Sequence, residues 1–286
     1  VRVDQQSVPG SIDAPNKVCK EDAAQLVLKN YSGTSLQWET AFASTGPWID
    51  ALTSNDTLFQ TSLSTNTWFR ANVTNGVCPP VSSDPVLVET IAHTAAGTIQ
   101  GADTACEILQ NGSLSLSGQT GSVLFWESSA TGKYPWSRIS TTQPLIDISG
   151  LSQTTWFRAQ VQNDICDVKI TDSIKIQIDH PPIGGIVTGG GEYCELFPDQ
   201  VDLLLTNYGG TIDEWQQFDY TKNKWNEIIW SSPLYSTTID TTTLYRAVIT
   251  NGVCTADTAI PAKITVHPNP IANFTFDSVN FGHTTH

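Results

Sequence analysis

The chain has 286 residues, 14 of them basic and 28 acidic, a formal net charge of -14, and six cysteines. That acidic balance repels phosphate backbones and anionic bilayers, so nucleic acid is not an expected partner and direct membrane insertion is not expected. No apolar run approaches the roughly 18 to 20 residues of a spanning helix, and the length suits three domains of somewhat under about a hundred residues each.

In chain order, Val1-Arg2-Val3-Asp4 matches Ile176-Gln177-Ile178-Asp179 and reads as the last strand of a preceding repeat. Residues 1–7 are assigned to that strand and its linker, followed by three repeats over 8–91, 92–180 and 181–267. The linkers carry Gly10, Gly97 and Gly185, each nine residues before a cysteine. Residues 268–286 read as the start of a truncated following domain.

Within each repeat, short segments separated by turn residues predict an antiparallel β-sandwich, and no segment carries a sustained helical period. Strand B alternates as Leu26/Leu28, Leu114/Leu116 and Leu203/Leu205. Gly33, Gly121 and Gly210 each stand five residues before Trp38, Trp126 and Trp215, which are expected to be the buried tryptophans of strand C. Ten residues further, across a C–C' hairpin turning at Gly46, Gly132 or Asn223, comes a second tryptophan: Trp48, Trp136 and Trp225. Strand F is the signature: Trp68-Phe69-Arg70-Ala71, Trp156-Phe157-Arg158-Ala159 and Leu244-Tyr245-Arg246-Ala247, with each arginine 88 residues after its predecessor. Such a period means tandem copies of one small domain. Leu63, Leu151 and Ile239, six residues before Phe69, Phe157 and Tyr245, stand at the spacing of a tyrosine corner, without the hydroxyl in two copies.

The cysteines fall two per repeat: Cys19 and Cys78, Cys106 and Cys166, Cys194 and Cys254. A bond repeated once per domain predicts the pairs Cys19–Cys78, Cys106–Cys166 and Cys194–Cys254, each closing a loop that stabilises its domain by about 4 kcal/mol on chain-entropy grounds. Such bonds imply an extracellular, periplasmic or cell-surface location. A metal site needs clustered Cys or His ligands; no C-x-x-C occurs, and His93, His180 and His267 fall in linkers as solvated residues. No cofactor is expected; Ca2+ in the acidic linkers is conceivable, but no acidic cluster supports it. No catalytic motif appears.

The register of cysteine, glycine-x4-Trp, second Trp, and then (W/L)-(F/Y)-R-A-x-(V/I)-x-N-x-x-C resembles the Ig-like repeats of large secreted Bacteroidota cell-surface adhesins of the gliding-motility type. Pro270-Ile271-Ala272-Asn273-Phe274 is similar to the start of a PKD-like domain. The resemblance implies a secreted adhesin or filament exported by type IX secretion. Asp-(Ser/Thr) triplets similar to the Bacteroidota O-glycosylation acceptor occur at Thr57, Thr104, Ser173, Thr241, Thr258 and Ser278, though a Ser/Thr-rich acidic chain also makes such triplets by chance.

Strand parity gives one further candidate. If Phe157, Ala159 and Val161 face the core, Trp156 and Arg158 face outward, with Glu127 and Trp136 on the same outer face. Repeat 1 supplies Trp48, Trp68, Arg70 and Glu39, and repeat 3 supplies Trp225, Arg246 and Gln216. These residues read either as an aromatic platform for surface polysaccharide or as a self-satisfied cross-strand ladder of Arg stacked on Trp and paired to Glu. The ladder is the reading we favour. The chain is thus expected to be a non-enzymatic stalk or spacer of a surface adhesin, a rod on the order of 100 Å whose partners are neighbouring repeats. A carbohydrate-binding module is the alternative.

Overall fold

The structure, a computed structural model, describes residues 3–51, 57–101, 104–195 and 200–272. The described residues form strands and no helix, and none offers a helix long and apolar enough to cross a membrane. Three similar β-sandwiches follow one another, as the period requires. By proximity the chain falls into two compact units: Val1–Asp103 with Gln110–Gln177, and Thr104–Leu109 with Ile178–His286.

Repeat 1 sets the pattern with β1 (Ser11–Asp13), β2 (Lys17–Cys19), β3 (Ala23–Lys29), β4 (Ser35–Ala41), β5 (Ile49–Asp50), β6 (Leu58–Ser62), β7 (Thr67–Thr74), β8 (Val81–Ser82) and β9 (Val86–Ile91). One sheet has the order β1-β3-β6 and the other β2-β9-β7-β4-β5, with β8 also on β7. In immunoglobulin terms these are A-B-E and A'-G-F-C-C', and the same two orders recur in repeats 2 and 3. Strand A' departs from antiparallel pairing: β2 runs parallel to β9, with Cys19 opposite Ile91. Gly191–Cys194 does the same beside Ala262–His267, with Cys194 opposite His267.

The cores follow the alternation. Leu26, Trp38, Phe69, Ala71 and Val73 are fully buried in repeat 1, with Leu114, Trp126, Ala159 and Val161 their counterparts in repeat 2 and Leu203, Trp215, Ala247 and Ile249 in repeat 3. The indole N–H groups of Trp126 and Trp215 donate to the carbonyls of Gln143 (2.9 Å) and Ser232 (3.0 Å), so these large rings are buried without an unpaired donor. Strand B ends in each repeat on a left-handed residue, Asn30, Gly118 or Asn207, the residue types that adopt positive φ at least cost. At the tyrosine-corner spacing Leu63 and Ile239 are buried. Burial also pushes the Tyr245 hydroxyl pKa up, against the opposing effect of its hydrogen bond to Thr237.

Val3 and Asp4 lie outside any strand; they precede the isolated bridge between Val8 and Ser32 and run onto the F–G turn of repeat 1. Val1, Arg2 and the PKD-like stretch from Asn273 onward lie outside the described residues.

Candidate functional site

Register builds the outer face. Glu39 lies opposite Arg70, Glu127 opposite Arg158, and Gln216 opposite Arg246. Arg70 Nε donates to Glu39 Oε2 at 2.5 Å, Arg158 Nε to Glu127 Oε2 at 2.6 Å, and Arg246 Nε to Gln216 Oε1 at 2.7 Å. The same three guanidinium groups lie over the rings of Trp48, Trp136 and Trp225, 4.3, 4.0 and 4.0 Å from the centroids. The Arg158 and Glu127 side chains are only 24% and 12% exposed, so water screens the pair weakly. Trp68 and Trp156 are half-buried beside this ladder, and a Cβ at Gly132 in the C–C' turn would strike the Trp156 ring at 2.8 Å. The arrangement is a ladder of Arg on Trp and Arg to Glu, or to Gln in repeat 3, with a guanidinium over one face of each ring.

A second constellation lies where one repeat meets the next. The F–G turns carry Asn75, Asn163 and Asn251, and each side-chain amide donates to a carbonyl of the incoming linker: Gln5 at 2.9 Å, Ala92 at 2.7 Å and His180 at 2.8 Å. The backbone N–H of Asn75 and of Asn163 donates in addition to a linker hydroxyl, Ser7 Oγ and Thr94 Oγ1, both at 3.0 Å. Asp4 and Asp179 complete the grip by accepting from the backbone of Val77 (3.1 Å) and Val253 (3.0 Å). Their carboxylates occupy the space a Cβ would need at Gly76 and Gly252, which is one reason these turns are Asn-Gly. In repeat 2 the charges are exchanged. The incoming residue is Ile91, the turn carries Asp164, and Lys17 of repeat 1 pairs with it at 2.6 Å, which raises the Lys17 pKa chiefly through that hydrogen bond.

The disulfides close these same joints, and the expected pairing within each repeat is corrected. Cys19 is bonded to Cys166 and Cys106 to Cys254, with Cα separations of 5.8 and 5.0 Å, while Cys78 and Cys194 are free. The reason is where the A' strand is seated, on the last residues of strand G. Cys19 sits beside Ile91 at the end of strand G, whereas Cys78 precedes that strand at the F–G turn. The run from Val81 to Ile91 spans about 33 Å at ~3.3 Å per residue, far beyond the ~7 Å that a disulfide tolerates between Cα atoms. The two cysteines of a repeat therefore lie at opposite ends, and in repeat 2 each meets a cysteine of a neighbouring repeat: Cys166 meets Cys19 and Cys106 meets Cys254. Bonds of this kind belong to an oxidising, non-cytoplasmic compartment.

His93 brings its ring within 3.9 Å of Asp22 and within 4.8 Å of both sulfurs of the Cys19–Cys166 bond, which are not free thiolates. Of the O-glycosylation candidates, Ser173, Thr241 and Thr258 are exposed and Thr57 and Thr104 half-buried; Ser278 lies outside the described residues. A cleft of about 260 Å³ in repeat 1 is lined by Thr40, Phe42, Ile49, Leu63, Thr65 and Phe69 among others, and none of its lining residues titrates.

A family described as "Domain of unknown function (DUF8696)" matches residues 8–92, 95–180 and 183–268. This chain belongs to that family. Each sandwich described above is thus one DUF8696 repeat. No curated protein matches the chain. Among solved structures it is similar to titin domains A168–A170 (16% identity, 92% of this chain and 100% of that one, TM-score 0.39). It is also similar to chicken CNTN1 domains FN1–FN3 (12%, 90% and 98%, 0.30) and to Drosophila OTK extracellular domains 3–5 (10%, 92% and 96%, 0.36).

Proposed function

We propose that the chain is a non-enzymatic structural spacer, a tandem DUF8696 segment that holds other parts of a large extracellular adhesin at a distance. The joint between repeats carries this reading: an asparagine grips each incoming linker, and a disulfide bolts the end of one repeat to the F–G turn of the next. A spacer needs resistance to bending and pulling at such joints, and the arrangement supplies it with backbone hydrogen bonds and a covalent tie. The Trp/Arg faces serve the same end by stiffening each sheet. The Trp-Arg-Cys register, similar to that of gliding-type Bacteroidota adhesins, supports placement in a surface protein exported by type IX secretion.

Glycan binding on those faces has the weaker support, because Arg70, Arg158 and Arg246 each already cover one face of Trp48, Trp136 and Trp225. Small-angle scattering on the oxidised chain tests the spacer. A maximum dimension on the order of 100 Å is expected from three end-to-end sandwiches of about 30 to 40 Å each; a compact particle refutes it. A Trp136→Ala chain that stays folded but loses retention on a polysaccharide column would instead establish the glycan reading.

A further inference from the structure

Two of the six cysteines remain unbonded, and their positions are those of the bonded ones. Cys19 and Cys106 end strand A' of repeats 1 and 2, and the residue after each donates its N–H to the last residue of strand G: Lys20 to Ile91 and Glu107 to Asp179, both at 2.8 Å. Cys194 is presented identically, with Glu195 N–H donating to His267 at 3.0 Å, and it is exposed. At the other end, Cys166 and Cys254 follow the F–G asparagine by three residues, and each closes back on that asparagine's carbonyl. Cys78 has the same turn, its N–H donating to Asn75 at 3.0 Å.

The seat around Cys78 is also already formed. Asp4 and Gln5 lie on the turn of repeat 1 as Asp179 and His180 lie on that of repeat 3: Asn75 grips the Gln5 carbonyl and Val77 N–H donates to Asp4. The Cys78 thiol donates to the Gln5 carbonyl at 3.2 Å, where the Cys166 sulfur lies 3.6 Å from the equivalent Ala92 carbonyl. The cysteine, the clamp and the linker pose therefore coincide at all three turns, while only two turns have their disulfide.

We propose that Cys78 and Cys194 are the two open halves of the same repeat-to-repeat disulfide, and that the partner of each is another DUF8696 repeat. Cys78 takes the A'-strand cysteine of a repeat seated before repeat 1. Cys194 takes the F–G cysteine of a repeat seated after repeat 3. The bond forms as two thiols give up two protons and two electrons to a disulfide oxidant such as glutathione disulfide, which leaves as two glutathione thiols. This does not depend on the spacer reading, since it rests on the geometry of two bonds already made. The contact is heterologous, so an open series of repeats keeps one free cysteine at each end.

The register defines the test. His267 is the counterpart of Asp179 and Asp4 at the end of strand G, so residues 1–267 are fused directly to residues 5–286 of a second copy. After oxidation in a glutathione buffer the fusion is expected to titrate two free thiols under denaturing conditions, Cys78 of the first copy and Cys194 of the second. A nonreducing peptide map is expected to show Cys194 of the first copy linked to Cys78 of the second. The same fusion with Cys194→Ser in its first copy is expected to titrate three. Four free thiols in the parent fusion, or glutathione rather than protein on both central cysteines, overturns the proposal. In the unfused chain at high concentration, intermolecular links joining Cys194 to Cys78 are expected in excess over random pairing; links of Cys78 to Cys78 and Cys194 to Cys194 at the random frequency overturn it independently of how the fusion folds.

Discussion

The disulfide pattern makes a quantitative prediction for the chain under tension. In the oxidised protein the shortest covalent path runs 18 residue steps from Val1 to Cys19 and crosses to Cys166. It then runs 60 steps back along the chain to Cys106, crosses to Cys254, and ends 32 steps on at His286. That path has 110 steps, where the reduced chain has 285. At about 3.5 Å per extended residue the oxidised chain stops at about 400 Å and the reduced one at about 1000 Å. More than half the contour is hidden behind two bonds that lie between repeats, because the loops they close overlap over residues 106–166.

Single-molecule pulling on a chain tethered at both ends reads these lengths directly, with and without reductant. Total length alone does not identify the pairing, since three bonds within repeats would stop the chain at nearly the same extension. Cys78→Ser separates the two. Cys78 is in no bond here, so C78S is expected to leave the limit at about 400 Å; bonding to Cys19 would instead release that loop and raise the limit to about 590 Å. C166S opens one bond and is expected to give about 480 Å. A C78S limit near 590 Å would refute the joint as described.

The other predictions concern the ladder, the clamp and one carboxylate. Arg158→Ala strips a charge-assisted hydrogen bond and a ring contact and leaves Glu127 with the longer Gln160 contact at 3.3 Å, so amide exchange from Thr155–Gln162 is expected to show a loss of about 2 kcal/mol. Arg246→Ala faces a neutral Gln216 and is expected to cost about 1 kcal/mol by the same measurement of Thr243–Thr250; equal losses in the two repeats would contradict the charge argument. Asn163→Ala removes the bond to the Ala92 carbonyl and is expected to destabilise the joint by about 1 kcal/mol, seen as faster exchange of Ala95 and Thr120 with the strand amides of repeat 2 unchanged. Asp219 is held well below the usual carboxylate range, first by the Thr221 hydroxyl and then by the Lys222 backbone N–H. Its folded pKa lies below the unfolded one, so its support of the C–C' hairpin is complete above the ordinary value of 3.8 and fades as pH falls through the depressed value. Thr221 and Lys222 amide protection, corrected for intrinsic rates, is expected to follow that curve, and Asp219→Asn to flatten it.

Much of this is legible in the sequence. Trp126, Phe157 and Ala159 had to share a core because glycine spacing and strand parity admit one inward set, and that choice alone placed Arg158, Glu127 and Trp136 together outside. The contacts at 2.6 and 4.0 Å follow from the facing register of Glu127 and Arg158. The asparagines of the F–G turns were visible only as turn residues. Their threefold recurrence was the available signal of a further task, since a tight turn alone is served as well by Asp or Gly. What no spacing conveys is that Asn163 reaches the Ala92 carbonyl, because that contact joins a turn to a linker 71 residues away in the chain.

The cysteines show where periodicity stops being informative. A bond that recurs with the repeat satisfies the period whether it closes within one unit or between a unit and the next; the observed separations of 147 and 148 are as regular as separations near 60. Periodicity therefore could not choose, and the choice fell to the seat of one three-residue strand. Had Lys17–Cys19 paired with the residues around Val81–Ser82, Cys19 would lie near the F–G turn and Cys78. Because it pairs with Glu89–Ile91, Cys19 sits at the far end of strand G, where the next F–G turn brings Cys166 to it. A strand contributing three residues to a six-stranded sheet thus converts what would be three separately closed sandwiches into a covalently jointed series.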